Sequence, residues 1–145
     1  RLNEEGRLFH REGQELEFKE QFSLSSLADY FRDFAAFSNN RGGFLIFGVK
    51  DKPREIIGLS IKAAEQFEKI GPEKITGFLL ECFSSEIRWS QATIALDDKK
   101  FGVFRIEPSP LKPIIAKKDV DKHLKNGEIY YRYGGRTQKI QSAEL

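Results

Sequence analysis

The chain has 145 residues, 39% of them hydrophobic, with 13 Phe and no Met, which suits one ordinary domain with a real core and excludes a disordered chain. No apolar run approaches the roughly 20 residues of a membrane-spanning helix. One cysteine, Cys82, excludes an intramolecular disulfide and a multi-cysteine zinc site, and points to a reducing, cytoplasmic setting.

The net charge of +2 is unevenly spread. Residues 1–60 hold 9 Lys/Arg against 10 Asp/Glu, whereas residues 112–139 hold 8 against 3. An acidic spot near the start and a basic stretch near the end suit a metal-bound polyanion; a solvated, lysine-rich hairpin reads the same way. The chain opens on Arg1 rather than Met and carries no signal-peptide pattern, which suggests the N-terminal part of a longer protein with further domains.

Residues 15–20 alternate strictly and predict a strand, with Leu16 and Phe18 on one face and Glu15, Glu17 and Lys19 on the other. A helix follows from Ser25 or Ser26, where Ser26 and Asp29 resemble a capping box. Leu27, Tyr30, Phe31 and Phe34 give it an aromatic core face. It stops at Asn39-Asn40-Arg41-Gly42-Gly43. The run Phe44-Leu45-Ile46-Phe47-Gly48-Val49 predicts a central strand buried on both faces, and Ile56-Ile57 begins the second strand of a hairpin. Residues 61–70 form a weak helix that Gly71-Pro72 breaks. Pro72 then opens another, in which Ile75, Phe78, Leu79 and Cys82 share a face, so Cys82 reads as a small buried hydrophobe.

Trp89–Leu96 and Phe101–Glu107 predict two strands around the turn Asp97-Asp98-Lys99-Lys100. Ile114–Ala116 is a short strand, and Asn126-Gly127 turns into a strand over residues 129–133. Ser142-Ala143-Glu144-Leu145 resembles a helix start. The fold class is α+β: one domain, a mixed sheet flanked by helices, with its core at about residues 10–140.

The chemistry concentrates in Glu12 to Glu20. Same-face residues two apart on a strand lie about 6.5–7 Å from each other, so Glu17 and Lys19 are neighbours. Gly13 can kink the chain and return Glu12 to that face. Asp51, just past the apolar run, converges with Glu12 and Glu17 if the two strands are adjacent. Converging carboxylates repel by roughly 4 kcal/mol per pair at 4 Å and an effective dielectric of about 20, so such a cluster needs protons or a cation. Oxygen ligands suit Mg²⁺, Mn²⁺ or Ca²⁺. A metal so held could activate water against a phosphodiester, with Lys19 placing the phosphate. A solvated acidic strand face is the plain alternative. His10 and His123 lack metal-ligand partners, Ser23 to Ser26 lack a nucleophile context, and Asn39–Gly43 lacks the Walker A pattern.

Five pieces in this order resemble the Schlafen AlbA-like family: Glu15–Glu20 (E-L-E-F-K-E), Phe34–Gly43, Phe44–Asp51, Glu55–Leu59 and Ile129–Thr137. The resemblance implies a mixed-sheet α/β nucleic-acid-binding domain. Its RNA-cutting members carry three acids, two of them five apart, the second opening E-F-K and the third after the central strand. Glu12, Glu17 and Asp51 fill those positions as catalytic and metal residues for Mg²⁺ or Mn²⁺, with Lys19 beside them. Lys50 departs from the pattern, where a second acid is usual. The implied activity is endoribonuclease cleavage of structured RNA such as tRNA, in bacterial defence or stress response. The alternative is a non-catalytic DNA- or RNA-binding module of a regulator. Arg41, Lys50, Lys117, Lys118, Arg132, Arg136 and Lys139 are the expected backbone contacts, with Lys122 and Lys125 beside them. Tyr131 and Tyr133 share parity opposite to Arg132 and are expected in the core. Two lobes form a clamp in Schlafen cores, so a homodimer is expected of this single lobe.

Overall fold

The alternation at residue 15 onward does form a strand, and its partner decides where its charges go. In the computed structural model, which describes residues 13–140, β1 is Leu16–Lys19 and runs parallel to β2, Gly43–Phe47. Helix α1, Leu27–Ser38, makes the crossover between them. The sheet order is β1-β2-β6-β5, with β5 (Trp89–Leu96) and β6 (Lys99–Ile106) antiparallel. Asp97 and Asp98 both have positive φ, 50° and 62°, as a tight two-residue hairpin turn requires.

Helices α1, α2 (Ile61–Lys69) and α3 (Pro72–Cys82) all feed one aromatic core on one face of the sheet. Phe34, Phe47, Phe67 and Phe104 have no exposed surface there, and Tyr30 lies edge-on to Phe47 at 4.9 Å. Gly102 passes beneath the Phe67 ring, where a Cβ would come within 2.7 Å of a ring carbon. Cys82 is buried, as expected. Among the described residues no helix is long and apolar enough to cross a membrane.

Several expectations change. The apolar run is not one strand buried on both faces. β2 ends at Phe47, and Gly48, at φ 110°, turns the chain into β3, Val49–Asp51, which pairs with β4, Arg54–Ile56. Among the described residues no helix packs on the outer face of the sheet. A small cluster of Phe18, Val49 and Phe101 covers part of it, and Phe44 stays 42% exposed. Ser26 makes no capping hydrogen bond. Ser23 instead caps the short 3-10 turn Leu24–Ser26 that leads into α1. Residues 114–116 form a single bridge, Phe83 to Ala116, rather than a strand. The C-terminal strand is the first of a ribbon, β7 (Tyr130–Tyr133) and β8 (Arg136–Lys139), which packs on α1. The expected helix start at Ser142 lies outside the described residues.

Candidate nucleic-acid interface

The register of β1 on β2 pairs Glu17 with Leu45 and Lys19 with Phe47, so both charges point to the helix-covered face of the sheet. They escape burial among aromatics because β1 is the edge strand, flanked by α1 and the β7–β8 ribbon. Helix α1 brings Asp29 and Asp33, one turn apart, to meet them. The Lys19 Nζ sits 3.4 Å from Asp33 Oδ2, 3.5 Å from Asp29 Oδ2 and 3.5 Å from Glu17 Oε2. A tethered ammonium thus occupies the middle of three carboxylates. Asp29 also meets the His123 Nδ1 at 3.6 Å, which ties the 117–125 loop to the helix.

Arg132 serves the other side of Glu17. Its Nη1 donates to Glu17 Oε1 at 2.8 Å and to Thr137 Oγ1 at 3.0 Å, and its Nη2 donates to the carbonyls of Gly13 and Leu16. The guanidinium lies over the Phe37 ring at 4.8 Å. The planar fork with its five donors suits this task, and an ammonium would not.

Burial and charge compete in this network. Desolvation raises the Asp33 carboxyl to about 6, against the pull of Lys19 and with the push of Glu17. Desolvation also opposes the charge on Lys19, but Asp33, Asp29 and Glu17 outweigh it and raise its pKa. A polar cleft of about 310 Å³ opens over these four side chains, lined further by Arg32, Arg136 and Gln138.

Of the expected site residues, Glu17, Lys19 and Arg136 meet at this cleft. Glu12 lies outside the described residues. Asp51 ends β3 opposite Arg54, on the ribbon whose Val49 and Ile56 pack with Phe18 on the outer face of the sheet; Glu17 points to the other face. Lys50 is half-buried opposite Glu55. Arg41, Lys117, Lys118, Arg136 and Lys139 are exposed. Lys118 lies 3.4 Å from Glu81 and Lys139 3.7 Å from Glu128. Arg132 is a correction: its side chain has no exposed surface, and its guanidinium braces β1 instead of facing a ligand. The two tyrosines are a second correction. Tyr130 and Arg132 face α1, so Tyr131 and Tyr133 take the opposite, half-buried side.

Sequence reasoning missed Asp29, Asp33 and Arg32. One signal was present. Asp33 stands at i+3 from Tyr30 and i−4 from Phe37, inside the apolar stripe, where an acid must have a partner.

The resemblance implies a divalent metal, with Glu12, one of its expected ligands, outside the described residues. Among the described residues no group of three or more His, Cys, Asp or Glu side chains is placed to hold an ion. Two cations already contact Glu17. The described donors do not fit a metal centre.

A curated relative, an uncharacterized ATP-binding protein of Ureaplasma parvum serovar 3, is 39% identical over 156 aligned positions that take in 98% of this chain. The chain spans 43% of that relative's length. The crystal structure of a Corynebacterium diphtheriae protein superposes with a TM-score of 0.57 at 18% identity, covering 90% of this chain and 26% of that one, a likeness of fold. Residues 12–141 match the Schlafen, AlbA_2 family, and the chain belongs to that family.

Proposed function

We propose that this chain is a nucleic-acid-binding domain that grips the sugar–phosphate backbone, RNA ahead of DNA. The supporting observation is the basic C-terminal segment. It packs around α1 and leaves Lys117, Lys118, Lys122, Lys125, Arg136 and Lys139 exposed. Each phosphate neutralised by such a side chain releases a counterion, so affinity falls steeply with salt. The carboxylates that would repel the backbone are already paired with Lys19 and Arg132. Binding therefore needs no divalent ion. The preference for RNA comes from the resemblance to Schlafen cores that cut tRNA and rRNA. In a gel shift with tRNA and with plasmid DNA, both are expected to shift at low salt, to weaken as salt rises, and to be indifferent to EDTA. No shift at low salt would remove the reading.

Metal-dependent endoribonuclease action is the second reading. What supports it is sequence position: Glu12 and Glu17 stand five apart, Glu17 opens E-F-K, and Asp51 follows Gly48-Val49-Lys50. Incubating tRNA with Mn²⁺ or with EDTA separates the two. Cutting that needs Mn²⁺ and disappears in Asp51→Ala supports cleavage, whereas intact tRNA under Mn²⁺ leaves binding alone. A homodimer belongs to the same proposal, since two lobes form the clamp of the Schlafen cores that the chain resembles, and further domains belong to it because the chain spans 43% of its curated relative's length.

A further inference from the structure

The two edges of the four-stranded sheet are built differently. β1 is four residues long, carries Glu17 and Lys19, and is braced by the Arg132 guanidinium. β5 is eight residues long, Trp-Ser-Gln-Ala-Thr-Ile-Ala-Leu, with no charge and no proline from Trp89 to Leu96. Its turn decides which backbone groups it uses. In a two-residue hairpin the residues that flank the turn, here Leu96 and Lys99, exchange both hydrogen bonds, and every second residue after them does the same. The bond from the Glu107 amide to the Arg88 carbonyl, 2.9 Å, carries that alternation to the far end. Trp89, Gln91, Thr93 and Ala95 therefore aim their N–H and C=O groups away from β6, and no described residue pairs with them. The side chains from Ala92 onward are exposed, Ile94 by 49% and Leu96 by 38%. A long bare edge invites another strand, and folded domains usually blunt it with a charge, a proline or a bulge. β5 has none of these.

We propose that β5 is the contact of the homodimer put forward above: a second copy of this chain adds its own β5 antiparallel and continues the sheet. The proposal rests on that homodimer and not on nucleic-acid binding. A strand that meets its own copy about a two-fold axis runs antiparallel to it, and the side chains choose the register. Centred on Thr93, the pairing sets Thr93 against itself, Gln91 against Ala95, Ala92 against Ile94 and Ser90 against Leu96. Each Ile94 gains the other Ile94 as a diagonal neighbour, so the exposed apolar side chains cover one another. Past the strand ends, Arg88 of one copy stands opposite Asp98 of the other, a charge match that the two-fold repeats. Arg88 now lies 3.7 Å from Glu86 in an exposed pair, which contributes little and can be exchanged. A register centred on Gln91 would instead set Ile94 against Arg88.

Sedimentation velocity of the complete 145-residue chain, without nucleic acid and over a range of concentrations, reads the mass. The parent is expected to pass from a 16.7 kDa monomer to a dimer as concentration rises. Thr93→Lys sets two ammonium groups face to face at the axis, on a side chain that is exposed, and is expected to stay monomeric where the parent is dimeric. Thr93→Pro removes an N–H that no described residue uses and is expected to do the same. Thr93→Cys reads the register. It brings two thiols opposite each other, within the roughly 4.4–6.8 Å between Cα atoms that a disulfide spans, and diamide is expected to link the copies. Ala95→Cys stands four residues from its own copy, about 14 Å along the strand, and is expected to stay unlinked. Cys82 is buried and does not compete. A parent that is monomeric throughout, a dimer that survives Thr93→Lys, open-ended larger assemblies, or linkage of Ala95→Cys in place of Thr93→Cys would each overturn the contact. None of these outcomes touches the gel shift with tRNA and plasmid DNA, so nucleic-acid binding stands or falls separately.

Discussion

Arg132 and Asp33 show what a few buried charges ask of this fold. The Arg132 guanidinium is sealed from solvent and serves Glu17, Thr137 and two β1 carbonyls at once. Arg132→Met would retain volume but take from Glu17 its guanidinium partner and from the Gly13 and Leu16 carbonyls their side-chain donor, leaving those carbonyls the amide bonds that the two residues exchange. Removing one partner of a buried pair typically costs about 3–5 kcal/mol. A clear drop in thermal midpoint is expected, larger than for Arg136→Met on the exposed strand. Asp33 gives a pH signature. Its folded pKa of about 6 lies above the usual 3.8, so between those values the native state holds more protons than the unfolded chain. Stability then falls as pH rises through that window, by up to about 3 kcal/mol. In denaturant titrations from pH 4 to 7, Asp33→Asn is expected to flatten that fall. The charges on β1 were legible in the sequence because strand alternation is local. Their partner was not, since Arg132 lies 115 residues from Glu17 and nothing in a local pattern joins them.

Helix α1 teaches the same lesson one scale up. Its aromatic face and its end at Asn39 follow from spacing and from the Asn-Asn-Arg-Gly-Gly sequence, and both hold. What spacing could not give is the second use of those asparagines. The Asn39 Oδ1 accepts from the Ile114 amide at 2.6 Å, and its Nδ2 donates to the carbonyls of Ile114 at 3.1 Å and Tyr130 at 2.9 Å. The Asn40 Nδ2 donates to the Arg132 carbonyl at 3.3 Å. The helix end therefore clamps the segment that leads into β7, and with it the position of Arg132. Asn39→Ala would strand one buried amide hydrogen and two carbonyls. Each buried polar group left without a partner costs about 1–3 kcal/mol. The expected result is a destabilisation of at least about 2 kcal/mol in chemical denaturation, together with faster amide exchange at Ile114. Asn39→Asp retains the acceptor for Ile114 but not the donors, and should fall between the two. The exchange of faces in β7 has the same origin. Parity along the strand was legible, but which side meets α1 is set by the ribbon's packing on a helix a hundred residues earlier.

At the scale of the whole molecule a net charge of +2 conceals a separation. Glu17, Asp29 and Asp33 gather around Lys19, while the lysines of residues 117–125 remain outside. His123 against Asp29 fixes that loop to the start of α1, beside the cleft. If this surface meets the backbone, its contribution can be counted by salt. The slope of log affinity against log salt is about −0.7 per phosphate contact on a single strand and about −0.9 on duplex. Lys117→Ala with Lys118→Ala should therefore make the slope shallower by about 1.4 to 1.8, and weaken binding most at low salt. Lys118 also faces Glu81, at 3.4 Å in an exposed pair that contributes little to stability, so the fold should be unaffected. Freeing Glu81 would add repulsion of its own, and Glu81→Gln isolates that part: it should raise affinity without changing the number of lysine contacts. A slope and affinity that match the parent in the double-alanine variant would take this loop out of the interface and leave Arg136 and Lys139 to carry it.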